Sequence, residues 1–121
     1  MVQGKRLLVL EEEVLIAMDM QSVLDGAAAA QIVLARDYKE LAELAARYGE
    51  FDLAIVNPPR EGTSDEAVAA TLAAAGPAIV VNSAALPNLA GTPFEGAQII
   101  IKPFGDEDLL EACRMALARK G

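Results

Sequence analysis

The sequence predicts an open, doubly wound α/β fold, in which five parallel strands alternate with helices. Three observations predict it: short apolar runs bounded by polar residues, helical spacing of apolar residues between the runs, and β-branched residues within the runs. Short continuous apolar runs are typical of parallel strands buried on both faces of a sheet. Strands that alternate with helices favour βαβ units and the strand order 2-1-3-4-5.

The apolar runs place five strands, at residues 5–10, 31–35, 52–56, 77–82 and 97–101. The first strand stops at three glutamates, the third at Asn-Pro-Pro and the fifth at Lys-Pro-Phe. In an open α/β sheet of this kind, ligands bind outside the carboxyl ends of the strands, near the point where the strand order reverses. The polar residues at the strand ends are therefore the first candidates for a functional site.

Four segments have the apolar spacing of amphipathic helices: residues 13–25, 38–48, 64–75 and 106–119. Thr63 and Glu66 have the spacing of a capping box at the start of the third segment. The last segment opens with three acids and closes with Arg119 and Lys120, as the helix dipole favours. Residues 84–95 contain two prolines and a glycine, so we expect a short or irregular fourth helix there, followed by loop.

Composition restricts the class of protein. The chain has 121 residues, which suits a single domain over residues 1–121. Its net charge of −8 argues against binding to nucleic acid or to anionic membranes. A single cysteine, Cys113, and no histidine rule out a disulfide framework and disfavour a zinc site. Glutamates interrupt the first apolar run, and no apolar stretch approaches the length of a membrane span, so we expect a cytoplasmic protein.

The strand-end motifs resemble the receiver domain of bacterial response regulators, the signalling module of two-component systems and phosphorelays. The resemblance rests on Leu7–Glu13, Phe51–Pro59 and Ile99–Phe104, and it covers essentially the whole chain. It implies a flavodoxin-like fold, a signalling role rather than an enzymatic one, and a cis peptide bond before Pro103.

The resemblance also assigns roles to individual residues. Glu11 and Glu12 match the acid pair that holds Mg²⁺ in the family, with Glu12 the closer ligand. Lys102 matches the lysine that pairs with the phosphoryl group. The Ser or Thr that normally bonds this group at the end of the fourth strand corresponds to either Asn82 or Ser83.

Two departures from the family pattern change the implied function. Asn57 stands where the family has a phosphorylatable aspartate, and an amide oxygen is not nucleophilic enough to form an acyl phosphate. The loss of this carboxylate also weakens the metal site, so we expect no cofactor beyond weakly bound Mg²⁺. Ile99 stands at the aromatic switch position. The resemblance therefore implies an atypical receiver with a degenerate phospho-acceptor pocket.

Our first hypothesis is a receiver that acts by protein–protein interaction without phosphorylation. The contact face would comprise residues 84–95, the fifth strand and the last helix. The partner would be a histidine kinase, an output domain or another regulator, and a homodimer is possible. The candidate exposed residues on this face are Leu86, Leu89, Phe94, Met115 and Arg119, with a place in the core as the alternative for Phe94 and Met115.

Two other hypotheses remain. The main alternative is a small α/β metal- or ligand-binding domain or enzyme that uses Glu11, Glu12 and Lys102 as acid–base groups. It lacks support from a glycine-rich phosphate loop or from a nucleophile beside a base. The other hypothesis is a conventional receiver phosphorylated on a different residue, such as Ser83.

Overall fold

The computed structural model describes residues 2–120, which form a five-stranded parallel sheet flanked by helices. The strand order is β2-β1-β3-β4-β5, which confirms the predicted fold class and strand order. The strands are β1 (Arg6–Leu10), β2 (Gln31–Ala35), β3 (Leu53–Val56), β4 (Ala78–Ser83) and β5 (Gln98–Ile101). The helices are α1 (Val14–Gly26), α2 (Tyr38–Glu43), α3 (Asp65–Ala74) and α4 (Asp106–Lys120).

The sheet is buried on both faces, as its continuous apolar strands require. Because successive side chains of a strand point to opposite faces, each strand contributes to two separate cores. One core joins Val9 and Ile55 to α1 and α4, and the other joins Leu8 and Val56 to α2 and α3. Cys113 of α4 lies in the first core, where burial raises the pKa of its thiol to about 12.

The predicted helix over residues 38–48 consists of two elements. Helix α2 ends at Glu43, and a short 3₁₀ helix follows over Ala45–Glu50. Asp37 caps α2, since its Oδ1 accepts a hydrogen bond from the backbone N–H of Glu40 at 2.8 Å. The hydroxyl of Tyr48 donates to the carbonyl oxygen of Leu41. The same carbonyl accepts from the N–H of Leu44 at 3.0 Å, so the phenol joins the 3₁₀ turn to an already bonded carbonyl near the end of α2.

Residues 84–97 connect β4 to β5 by turns, in place of the short fourth helix that we expected. Leu89 and Phe94 anchor these turns in the core, with 8% and 1% of their surface exposed. Two of the five candidate exposed residues are therefore core residues. Leu86 is 79% exposed and Met115 39% exposed, as the hypothesis of a contact face requires, and Arg119 is also exposed.

The start of α3 differs from the predicted capping box. The hydroxyl of Thr63 accepts from the N–H of Asp65 at 3.2 Å, and the carboxylate of Glu66 accepts from the N–H of Gly62 at 2.9 Å. Each bond lies one residue away from its position in a capping box. Gly62 has a φ of +73°, a conformation open to glycine, and this turn shifts the two bonds.

Candidate functional site

Four polar residues meet at the carboxyl ends of the strands. Glu11 follows β1, Asn57 follows β3, Asn82 lies near the end of β4 and Lys102 follows β5. Because the strands are parallel and in register, their carboxyl ends meet at one edge of the sheet. We call Glu11, Asn57, Asn82 and Lys102 the polar cluster.

Lys102 neutralises the buried acid of the cluster. Its Nζ lies 2.9 Å from Oε1 and 3.0 Å from Oε2 of Glu11, whose side chain is fully buried. The same ammonium lies 3.1 Å from Oε2 of Glu13, a mostly exposed residue. Burial disfavours the charged ammonium, but its hydrogen bonds to Glu11 and Glu13 outweigh that effect and raise the pKa of Lys102. The bond between Lys102 and Pro103 is cis, as the resemblance implied.

Asn57 uses its amide nitrogen to bind the rest of the cluster. Nδ2 donates to Oε1 of Glu11 at 3.2 Å and to Oδ1 of Asn82 at 3.1 Å, with a further contact of 3.3 Å to the carbonyl oxygen of Asn82. All three acceptors require a donor, which fixes the orientation of the amide. An aspartate carboxylate would have no N–H to offer these oxygens.

Two polar atoms of the cluster are buried without a partner within residues 2–120, namely Oδ1 of Asn57 and Nδ2 of Asn82. Asn57 cannot turn over to satisfy them, because its oxygen would then face the carboxylate of Glu11. A buried polar atom without a partner costs about 1–3 kcal/mol. The ion pair between Glu11 and Lys102 therefore contributes most to holding the cluster together. The amides of Asn57 and Asn82 contribute less, because each leaves one of its polar atoms without a partner within residues 2–120.

Tyr38 fixes the backbone beside the cluster. Its hydroxyl donates to the carbonyl oxygen of Asn57 at 2.5 Å. Burial, together with the nearby charges of Asp65 and Glu12, raises the pKa of Tyr38 well above its ordinary range. The phenol therefore stays a neutral donor at physiological pH and holds the turn after β3.

Three predicted site residues lie outside the cluster. Glu12 is exposed and lines a separate cleft of about 930 Å³ with Tyr38, rather than joining Glu11 and Lys102. Ser83 also lies outside the cluster, and its hydroxyl accepts from the N–H of Ala85 at 3.4 Å. Of the two candidates for the Ser or Thr position, it is Asn82 whose side chain contacts Asn57. Ile99 is half-buried against the core on the α3 side of the sheet.

Sequence reasoning missed two residues at this site. Glu13, rather than Glu12, is the second carboxylate on Lys102, and Tyr38 holds the carbonyl of Asn57. Three successive glutamates gave no signal as to which of them turns inward. Tyr38 begins the helix that follows β2, and its contact with Asn57 depends on how β2 and β3 flank β1.

Residues 2–120 contain no group of three or more His, Cys, Asp or Glu side chains that could hold a metal ion. Within the same residues, no helix has both the length and the apolar character needed to cross a membrane.

The fold is that of receiver domains with known structures. The chain superposes on a response regulator receiver protein from Sinorhizobium medicae with a TM-score of 0.79 and 18% identity, over 100% of both chains. The chemotaxis response regulator CheY4 of Vibrio cholerae gives 0.76 and 16%, over 94% of this chain and 99% of that one. The receiver domain of a sensor histidine kinase from Pseudomonas aeruginosa, which has a magnesium ion in its active-site cleft, gives 0.73 and 15%, over 95% and 98%. No protein-family model matches the chain, and sequence comparison with curated proteins finds no match.

Proposed function

From its receiver-domain fold, we propose that this chain is an atypical receiver domain of two-component signalling, which is not phosphorylated at the usual position. The observation that carries the proposal is the orientation of Asn57, whose Nδ2 donates to Oε1 of Glu11 at 3.2 Å. An amide in this position offers no carboxylate oxygen to a phosphoryl donor. Lys102, the cation that would bind a phosphoryl group, is engaged by Glu11 and Glu13 instead.

The same geometry does not fit a tight Mg²⁺ site. Mg²⁺ requires several oxygen ligands in near-octahedral geometry. Here Lys102 contacts both oxygens of Glu11, Asn57 directs a nitrogen at that carboxylate, and Glu12 lines another cleft. We propose that Mg²⁺ binds weakly if at all, and that the chain carries no other cofactor. Lys102→Ala should strengthen Mg²⁺ binding, whereas a dissociation constant below about 1 mM for the unmodified protein would contradict the proposal.

A domain of this kind would act through contacts with another protein rather than by catalysis. The candidate contact face comprises the turns of residues 84–97, β5 and α4, where Leu86 and Met115 expose apolar surface. We propose that a cytoplasmic signalling protein, such as a histidine kinase, an output domain or another regulator, docks on this face. The net charge of −8 favours a partner with a basic surface.

The alternative function, an acid–base enzyme built on Glu11, Glu12 and Lys102, has weaker support. It needs three converging side chains, whereas Glu12 is exposed beside Tyr38 and Arg60. Turnover of a phosphorylated metabolite that is lost in Lys102→Ala but kept in Glu13→Gln would favour this alternative.

A phosphodonor assay tests the main proposal. The protein is incubated with acetyl phosphate or phosphoramidate and Mg²⁺, and its intact mass is measured with and without hydroxylamine. We expect no hydroxylamine-labile phosphoryl adduct on the unmodified chain and a slowly formed one on Asn57→Asp. An adduct on the unmodified chain would overturn the proposal. Failure of Asn57→Asp to take up phosphoryl would show that Asn57 is not at the acceptor position.

A further inference from the structure

The outer edge of β5 presents unpaired backbone groups. β5 is the last strand of the sheet, so within residues 2–120 only β4 pairs with it. Residues along a strand alternate between its two edges, and the N–H of Lys102 points to β4, where it donates to Ser83 at 2.8 Å. The N–H and C=O of Ile99 and Ile101 therefore point outward. Neither residue has another backbone hydrogen bond in the part of the chain that the structure describes.

A groove runs along this edge. One wall is β5 itself, and the other is a stripe of α4 at helical spacing, namely Asp108, Glu111, Ala112 and Met115. The groove has a volume of about 290 Å³, and Phe104 contributes to its apolar lining. We call it the β5 groove. An edge strand beside a helix is a geometry that admits one added strand, whose side chains lie against the helix.

Apart from its short length of four residues, the described strand Gln98–Ile101 carries no charged side chain or proline, which usually protect the edge strands of native proteins. Charged side chains, prolines and bulges normally prevent pairing with other chains. The β5 sequence is Gln-Ile-Ile-Ile, and the lysine that follows it turns into the polar cluster to bind Glu11. Ile101 is 39% exposed. An apolar edge left open in this way fits a docking surface.

The rim of the groove indicates which segment would fit. Asp108 and Glu111 place carboxylates along the helical wall. Glu111 pairs with Arg114 of the same helix, but both side chains are more than half exposed, so the pair is weak and a cation on a partner can compete for Glu111. A second copy of this chain would bring the same carboxylates against one another. Charge therefore favours a foreign segment with basic side chains.

We propose that the β5 groove binds an extended segment of a partner protein, with alternating apolar and basic residues, by adding it to the sheet as a sixth strand. This rests on the proposed function, which it deepens by assigning the mode of contact. The partner's backbone would bond to Ile99 and Ile101. Its apolar side chains would pack on Ile100, Phe104 and Met115, and its basic side chains would pair with Asp108 and Glu111.

A synthetic peptide tests the proposal directly. The probe is a capped hexapeptide of alternating lysine and valine, labelled with a fluorophore and followed by anisotropy. Because only two residues of β5 offer outward groups, we expect a dissociation constant on the order of 100 µM. Two peptide controls isolate the causes of binding. One carries methyl groups on alternate backbone nitrogens, prepared in both registers, and the other has glutamate in place of lysine. We expect each control to bind at least about tenfold more weakly, since one hydrogen bond or one charge pair is worth about that factor.

Protein variants locate the site. Ile101→Pro removes one outward N–H and leaves the β4 ladder intact, because proline is tolerated at a sheet edge. The Ile101→Pro variant should no longer bind the lysine peptide, and it should unfold at nearly the same urea concentration as the parent protein. Glu111→Lys should weaken the lysine peptide and strengthen the glutamate peptide. Its matched control, Glu43→Lys, makes the same charge change on α2, away from the groove, and should leave affinity nearly unchanged.

Several outcomes would overturn strand addition. One is that the lysine peptide does not bind. Another is that the N-methylated peptides, or the Ile101→Pro protein, bind as tightly as the lysine peptide and the parent protein do. The last is that the chain forms a dimer that Ile101→Pro dissociates. If Ile101→Pro does not fold, amide hydrogen exchange in the parent protein tests the proposal instead. Bound peptide must slow the exchange of the Ile99 and Ile101 amide hydrogens, and unchanged exchange rates would overturn strand addition. The phosphodonor assay tests the proposed function separately. If the chain takes up no phosphoryl group and does not bind the peptide, the proposed receiver function stands and strand addition fails. If the chain is phosphorylated, the proposed function fails, and the peptide assay still tests strand addition by itself.

Discussion

The polar cluster lies at the carboxyl ends of the strands and the β5 groove lies along the outer edge of the same sheet. The two regions differ in whether their polar groups are paired within the protein. In the cluster, Lys102 and Asn57 direct their donors at Glu11, so the charged groups are paired inside the protein. At the groove, the backbone groups of Ile99 and Ile101 point away from β4, and the exposed carboxylates of the rim have only local partners within α4 and the turn before it. The difference teaches that the charges at the strand ends are paired within the protein, whereas the outward backbone groups of the edge strand have no partner within residues 2–120.

Buried side chains anchor the turns that precede β5, and this predicts the largest effect. Phe94→Ala should lower the free energy of unfolding by about 3–5 kcal/mol, because it leaves a cavity in the core beneath β5. Leu86→Ala, on the same segment but exposed, should change it by less than about 0.5 kcal/mol. Urea denaturation followed by circular dichroism measures both, and similar costs for the two variants would show that the segment is not anchored by Phe94.

The pairing inside the cluster can be broken at Lys102. Lys102→Ala should lower the free energy of unfolding by about 2–4 kcal/mol, since Glu11 would stay buried without its cation. Glu13→Gln removes only the exposed partner of the same lysine and should cost less than about 1 kcal/mol. If the two variants unfold at the same urea concentration, Glu11 is not held by Lys102 in the way described.

Asn57→Asp tests the charge balance of the cluster. Without Mg²⁺ it should lower the free energy of unfolding by about 1–2 kcal/mol at neutral pH, because the new carboxylate replaces the N–H that Glu11 accepts. The cost is moderated because Asn82 can turn its unpartnered Nδ2 toward the new carboxylate.

Millimolar Mg²⁺ should restore part of the stability of Asn57→Asp, which thermal unfolding with and without the ion would show. Asn88→Asp makes the same charge change at an exposed position and should show neither effect. Equal behaviour of the two variants would mean that Asn57 does not face Glu11.

The smallest effect appears at alkaline pH. The folded-state pKa of Lys102 is raised, so its contribution to stability is complete below the ordinary lysine pKa of about 10.4 and is lost as the pH rises through the folded-state value. The raised pKa of Tyr38 acts in the same direction, because the unfolded phenol ionises first. The stability difference between the parent and Lys102→Ala should therefore shrink above about pH 10.4. A difference that stays constant would contradict the ion pair.

The sequence was sufficient for the features that depend on local pattern. Apolar runs and their order predicted all five strands and the 2-1-3-4-5 sheet. The rule that ligands bind at the carboxyl ends of parallel strands predicted that Glu11, Asn57 and Lys102 would lie together at those strand ends. The prolines and glycine of residues 84–95 signalled irregular backbone, but not that Leu89 and Phe94 would fold back into the core.

Contacts between distant segments could not be read from the pattern. Glu11, Glu12 and Glu13 are chemically alike, and only the path of the chain after β1 decides that the first is buried and the third meets Lys102. Tyr38 reaches Asn57 through the arrangement of β2 and β3 around β1. The open edge of β5 follows from strand order, but the groove beside it depends on the placement of α4.

The proline that follows Asn57 gives the amide unusual chemical permanence. Asparagine ages to aspartate when the nitrogen of the next residue attacks its side chain, and that step requires a backbone N–H. Pro58 has none, so the usual route of deamidation is closed at this position. A molecule kept for weeks should retain its amide here, while the exposed Asn88, which precedes a leucine, deamidates first. The chemistry of position 57 should therefore be the same in old and new molecules, and peptide mapping of an aged sample would detect any conversion to aspartate.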